Sequence, residues 1–158
     1  MPRHESTRST RTLACSFTVI TLLAGCGGGS NPSQPGPAVL RVAGSYLIVQ
    51  QRVSSTCGDT GTPPTVNGTV THSPGGGTFV LSDTGGTTFN GTVASNGDFT
   101  GNAVFGPDSG GQTYTQQLVG RFTAGGFTAR LDVDVQPRNC RFTRDWTARK
   151  QGSPNTIP

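Results

Sequence analysis

Phe127-Thr128-Ala129-Arg130-Leu131-Asp132-Val133-Asp134-Val135 is the stretch whose reading decides the fold. Its odd positions are all apolar, and its even positions are Thr, Arg, Asp and Asp. In an extended chain successive side chains point to opposite faces, so this period of two buries one face and wets the other. A helix would scatter the same residues around its axis. Clean alternation is also the mark of antiparallel sheets, because parallel strands are covered on both faces and read as continuous apolar runs.

Working outward, short alternating runs separated by Gly, Pro, Asn and Asp predict eight strands, at 42–53, 65–72, 77–82, 87–94, 98–105, 113–123, 127–135 and 140–149. Asn96-Gly97 is the strongest hairpin signal and predicts a type I′ turn. Tyr114, Leu118 and Phe122 share one face of the sixth strand, and Cys140, Phe142 and Trp146 share one face of the eighth. Asn-Gly-Thr-Val occurs at 67–70 and 90–93, a recurring strand solution with no longer period behind it. Eight strands joined by short hairpins form a meander, and closing it removes both exposed edges. The expected fold class is therefore all-β, an eight-stranded antiparallel up-and-down barrel spanning 39–151, followed by a disordered tail at 152–158.

The first 38 residues have a different character. Arg3, Arg8 and Arg11 precede an apolar run from Leu13 to Ala24, too short for the roughly 20 residues of a spanning helix. A basic start, a short apolar run and small residues at its end read as a secretory signal peptide over 1–25. Leu23-Ala24-Gly25-Cys26 resembles the bacterial lipoprotein box. That resemblance implies cleavage before Cys26, lipidation (palmitate among the acyl groups) of its thiol, and an anchor in the bacterial cell envelope. Gly27 after the cysteine, where retained lipoproteins of the enteric type carry aspartate, implies export to the outer membrane. The stretch 26–38 is rich in Gly, Ser and Pro, which suits a tether.

Cleavage would also change the charge. Of twelve basic and eight acidic residues the leader holds three and one, which leaves nine against seven. A nucleic-acid footprint needs a concentrated basic face, and none is expected here. Hydrophobic residues make up only 31% of the chain, so a small core would benefit from a covalent staple. With Cys15 lost in the leader and Cys26 lipidated, as the resemblance implies, Cys57 and Cys140 remain in an oxidising compartment and are expected to form a disulfide. In an antiparallel seam between first and last strands, residue numbers opposite each other have a constant sum. The two cysteines set it at 197, which would place Gln51 opposite Trp146 and Ile48 opposite Arg149.

Gly44-Ser45-Tyr46 opens the first strand and Arg149 lies near the end of the last. In this the chain resembles the calycin group of small barrels, where lipocalins carry Gly-x-Trp. The resemblance implies an arginine packed across the first-strand aromatic at the closed end of the barrel. Tyr replaces Trp, however, and Arg149 alternates onto the face opposite Trp146.

Candidate chemistry is sparse. His72 is expected at the surface beside a turn, and the set Ser73, His72 and Asp83 carries no nucleophile motif. Asp132 and Asp134 beside Arg130 read as a solvated charged face. Neither a zinc cluster nor a phosphate loop is present in the sequence, and no cofactor is expected. The sequons at Asn67 and Asn90 carry little weight in a bacterial lipoprotein. Tyr114, Gln116, Arg144 and Trp146 form the candidate ligand-binding group, because all four are expected to face inward. An eight-stranded barrel holds packed side chains or one small ligand, and here a plugged interior with Arg144 at the rim is favoured. The expectation is a non-enzymatic, membrane-anchored module with a structural or protein-interaction role, inhibition of a hydrolase among the interactions. The alternative is a carrier of a small apolar or amphipathic ligand.

Overall fold

The computed structural model describes residues 38–58 and 62–158; the leader, Cys26 and the tether through residue 37 lie outside the described residues. Eight strands follow one another: β1 (Gly44–Ser55), β2 (Thr65–His72), β3 (Thr78–Asp83), β4 (Thr88–Val93), β5 (Asp98–Phe105), β6 (Thr113–Thr123), β7 (Gly126–Gln136) and β8 (Cys140–Lys150). Each pairs with the next, and β8 returns to β1, closing the sheet into an antiparallel barrel. The neighbour order is that of a lipocalin-like all-β fold, as the alternation and turn residues predict. In β7, Phe127, Ala129, Leu131, Val133 and Val135 are all buried.

The seam between β1 and β8 departs from the expected register by one residue. Gln50 faces Trp146, Ile48 faces Ala148 and Leu47 faces Arg149. The cause is a bulge between Arg52 and Ser54, beyond which Ser54 faces Thr143 and Ser55 faces Phe142. A bulge adds one residue to one strand, so Val53 absorbs the slip, and the sum of 197 holds only on the cysteine side. Asn96-Gly97 also differs from expectation. It turns the chain between β4 and β5, but only Gly97 takes a positive φ, at 88°. The turn is closed by Gly97 N–H donating to Ala94 C=O, and Asn96 Oδ1 accepts from Asp98 N–H.

The two ends of the barrel are filled differently. At the end where β1 begins and β8 finishes, Tyr46, Phe79, Phe99, Phe122 and Phe127 form one aromatic cluster. Phe99 and Phe122 lie 4.7 Å apart, and Tyr46 and Phe127 5.3 Å apart, between ring centroids. Each fully buried ring contributes roughly 1.5–3 kcal/mol. Leu40 and Val42, just before β1, are buried with them. Gly126 opens β7 against the end of β8; a Cβ there would collide with the Ala148 carbonyl.

The expected disordered tail is instead part of this end. Arg41 and Thr156 bridge through two backbone hydrogen bonds of 2.9 and 3.0 Å. Ile157 packs against the core, and Asn155 is only 6% exposed. Asn155 Oδ1 accepts from Tyr46 Oη at 2.8 Å and from Lys150 Nζ at 2.7 Å. Its Nδ2 donates to the carbonyls of Thr123 and Gly126 at 2.8 and 3.2 Å. A single side chain thus meets four polar groups under the barrel, one of which, the Tyr46 hydroxyl, also donates to the Val42 carbonyl at 2.6 Å. The cation over the first-strand aromatic is also reassigned. Arg149 is exposed, and Lys150 Nζ lies 5.8 Å from the centre of the Tyr46 ring. The parity of β8 dictates this, because Trp146, Ala148 and Lys150 point inward together.

Candidate functional site: the mouth at the disulfide

The opposite end is built from polar inward positions. Cys57 and Cys140 are disulfide-bonded, with Cα atoms 5.1 Å apart, as the sequence predicts. Thr56 N–H donates to Arg141 C=O at 2.8 Å, and Arg141 N–H donates to Thr56 Oγ1 at 2.9 Å. These bonds carry the β1–β8 seam out to the bridge. Beside it opens a hollow of about 410 Å³, lined by Cys57, Gly58, Tyr114, Val135, Arg138, Phe142 and Arg144.

Two of the polar walls are fixed in place. Arg144 Nη1 donates to Gln50 Oε1 at 2.9 Å, and its guanidinium carbon sits 4.6 Å from the centre of the Phe142 ring. Tyr114 Oη donates to Asp108 Oδ2 at 2.8 Å, while Asp108 Oδ1 accepts from the amides of Gly110 and Gln112 at 2.8 and 2.9 Å. Those amide and hydroxyl donors hold the Asp108 carboxyl below its usual range, and the adjacent carboxylate raises the Tyr114 phenol. Arg138 stands exposed on the β7–β8 turn, next to Asn139, whose φ of 52° bends the chain back into β8.

Of the four residues expected to form a ligand group, the structure brings Tyr114 and Arg144 together in this hollow. Gln116 and Trp146 lie one inward position deeper on the same strands and do not line it. Gln116 is 9% exposed and Trp146 2%. The indole N–H of Trp146 has no acceptor among the described residues, and its ring meets Phe89 edge to face at 5.6 Å. The interior below the mouth is thus occupied by side chains. Arg138, Phe142 and Val135 were not in the expected group. Phe142 and Val135 share parity with Cys140 and Leu131, and Arg138 sits two residues before Cys140, so their positions carried a signal. Family-model, curated-protein and solved-structure comparisons found no match to this chain.

Other candidates fall away on geometry. His72 is buried rather than superficial, since Val70 and His72 share the inward parity of β2, and its Nε2 meets the Gly76 carbonyl at 2.8 Å. Asp83 lies at the other end of β3, opposite Gly68, and accepts from Thr87 N–H, so the Ser73–His72–Asp83 set is not assembled. Asp134 pairs with Arg141, Asp132 accepts from Thr143 Oγ1 at 2.7 Å, and Arg130 pairs with Asp145 at 2.9 Å. No cluster of three metal-ligating side chains occurs among the described residues. A larger depression of about 740 Å³ crosses the outer wall over Gly120, but its arginines, Arg121 and Arg130, are already paired with Asp98 and Asp145. It is shallow and open, whereas the mouth hollow is a recess.

Proposed function

We propose that this protein is a lipid-tethered envelope lipoprotein whose barrel is a non-enzymatic binding module, with the mouth as its recognition end. The observation that carries this reading is the asymmetry of the barrel. The chain reaches β1 at the closed end, where Leu40 C=O accepts from Gly75 N–H beside the packed tail. The mouth lies at the opposite end and carries the recess and unburied cationic groups. The recess is thereby confined to the end remote from the point where the described chain enters the barrel. Lipid chains supply about 0.8 kcal/mol per buried methylene, so dual acylation anchors the chain without a spanning segment. His72 lies at the closed end with its Nε2 on the Gly76 carbonyl, away from the recess.

The test is Cys26→Ser, which should abolish incorporation of labelled palmitate and release the protein from the membrane fraction. Unchanged fractionation and labelling would refute the anchor. A second reading, a small-molecule carrier, is favoured by one observation: the mouth recess of about 410 Å³ falls in the roughly 300–1,000 Å³ range of ligand pockets. Native mass spectrometry of protein from its own host separates the two. A stoichiometric small adduct supports the carrier, whereas a bare barrel that retains a protein supports the interaction module.

A further inference from the structure

We propose that the mouth recess is a site for small amphipathic monocarboxylates, with the carboxylate on Arg138 and the apolar body against Phe142, Val135 and the Cys57–Cys140 disulfide. This rests on the mouth being the recognition end.

The argument begins with charge. Along the outer wall of β6–β8, arginines meet carboxylates in contact: Arg121 with Asp98, Arg130 with Asp145, and Arg141 with Asp134. Arg138 makes no ion pair or hydrogen bond among the described residues. The acid it influences, Asp108, already accepts from Gly110, Gln112 and Tyr114, so the two interact only through the field. A guanidinium presents a planar fork that matches a carboxylate with two parallel hydrogen bonds. The second guanidinium at the recess, that of Arg144, is held by Gln50 and stacked on Phe142, which leaves Arg138 to receive the carboxylate.

The charge of the ligand follows from the neighbours. Asp108 keeps an ionised carboxylate beside the recess, which penalises a dianion such as a phosphate monoester more than a monoanion. Its size follows from the floor. Trp146 and Gln116 are buried beneath the recess, so a ligand stays at the rim instead of descending into the barrel. The walls supply the apolar half: the Cys57 side of the disulfide, an aromatic ring and a valine are poor partners for a small hydrophilic anion.

The test is a titration of the isotopically labelled full chain with phenylacetate, its neutral isostere phenylacetamide, and phenyl phosphate, read on backbone amide resonances. Phenylacetate should give saturable shifts at Cys57, Gly58, Arg138 and Phe142, and phenylacetamide should bind about tenfold more weakly or not at all. Arg138→Gln should weaken phenylacetate by about tenfold and leave the closed-end resonances of Phe122 and Asn155 in place. Arg121→Gln, at the other end of the barrel, should change nothing. Equal binding of phenylacetamide, tighter binding of phenyl phosphate, an unaffected Arg138→Gln, or no saturable shift at millimolar phenylacetate would each overturn the proposal. Because the readout lies on the barrel, its failure leaves the lipid anchor untested by it and intact, and a failed anchor leaves the titration valid.

Discussion

The two ends of this barrel are made by the same eight strands and held by different physics. At the closed end inward positions are Tyr46, Phe79, Phe99, Phe122 and Phe127, and the order comes from packing and from one buried amide, Asn155. At the mouth the corresponding positions include Gln50, Arg52, Tyr114, Gln116 and Arg144. There the order comes from a covalent bridge, hydrogen-bonded loops and a stacked guanidinium. The difference teaches where a small barrel can place polar groups. Once one end has buried enough apolar surface to specify the fold, the other is free to carry groups that packing alone would not retain.

The comparison can be broken most directly at Phe122, which touches Tyr46, Phe79, Phe99 and Phe127. Phe122→Ala should cost about 3–5 kcal/mol, seen as a lower denaturant midpoint with loss of near-ultraviolet aromatic signal. If the closed end specifies the fold, no mouth substitution that leaves the disulfide intact should match this.

Removing the bridge with Cys57→Ser and Cys140→Ser opens a loop of 83 residues and should cost about 2–4 kcal/mol. Amide exchange should accelerate at Thr56 and Arg141 while Phe122 and Phe127 stay protected. Uniform acceleration would mean that the two ends are one cooperative unit.

Asn155→Ala removes the Lys150 ammonium's acceptor and the amide that donates to the Thr123 and Gly126 carbonyls, and leaves the Tyr46 hydroxyl only the Val42 carbonyl at 2.6 Å. A loss of about 1–3 kcal/mol is expected in thermal unfolding. A neutral result would show that the tail merely rests on the barrel.

Tyr46 gives a pH signature to the same end. Burial pushes its phenol up from 10.0 to about 12, opposed by the hydrogen bond to Asn155. The unfolded chain therefore releases this proton first, so the associated stability is complete below about pH 10 and is lost as pH rises towards 12. In Tyr46→Phe the slope of stability between those values should flatten. Burial lowers the Lys150 ammonium, which acts in the opposite sense below its unfolded value, so the comparison must be between variant and parent at each pH. The smallest effect belongs to the mouth: Arg138→Gln should stay within about 0.5 kcal/mol of the parent in unfolding, because the side chain is exposed and unpaired among the described residues.

Most of the fold was legible because strand and turn signals agree along the chain. Each of the eight ranges read from alternation lies within two residues of the observed strand. What escaped has physical reasons. The bulge at Val53 leaves no compositional mark, since an extra valine looks like any other strand residue. The tail shows no alternation, and its Gly, Ser and Pro residues resemble a linker; its order depends on one asparagine and one isoleucine meeting a surface the other strands create. His72 and Lys150 were readable by continuing the parity of β2 and β8 one step further. The candidate group was half legible: parity placed Tyr114, Gln116, Arg144 and Trp146 inward, but not which of them remain open to the recess. That depends on how deep the aromatic filling rises, a property of the assembled barrel rather than of any one strand.

The bridge between Arg41 and Thr156 brings the approach to β1 and the departure from β8 into backbone contact. From Arg41 to Thr156 the chain is consequently almost a ring. A short linker joining these two segments, with new ends cut at Thr84-Gly85-Gly86 on the mouth side, would give a circular permutant that keeps every strand pairing. In such a molecule the covalent order of the strands changes while the barrel does not.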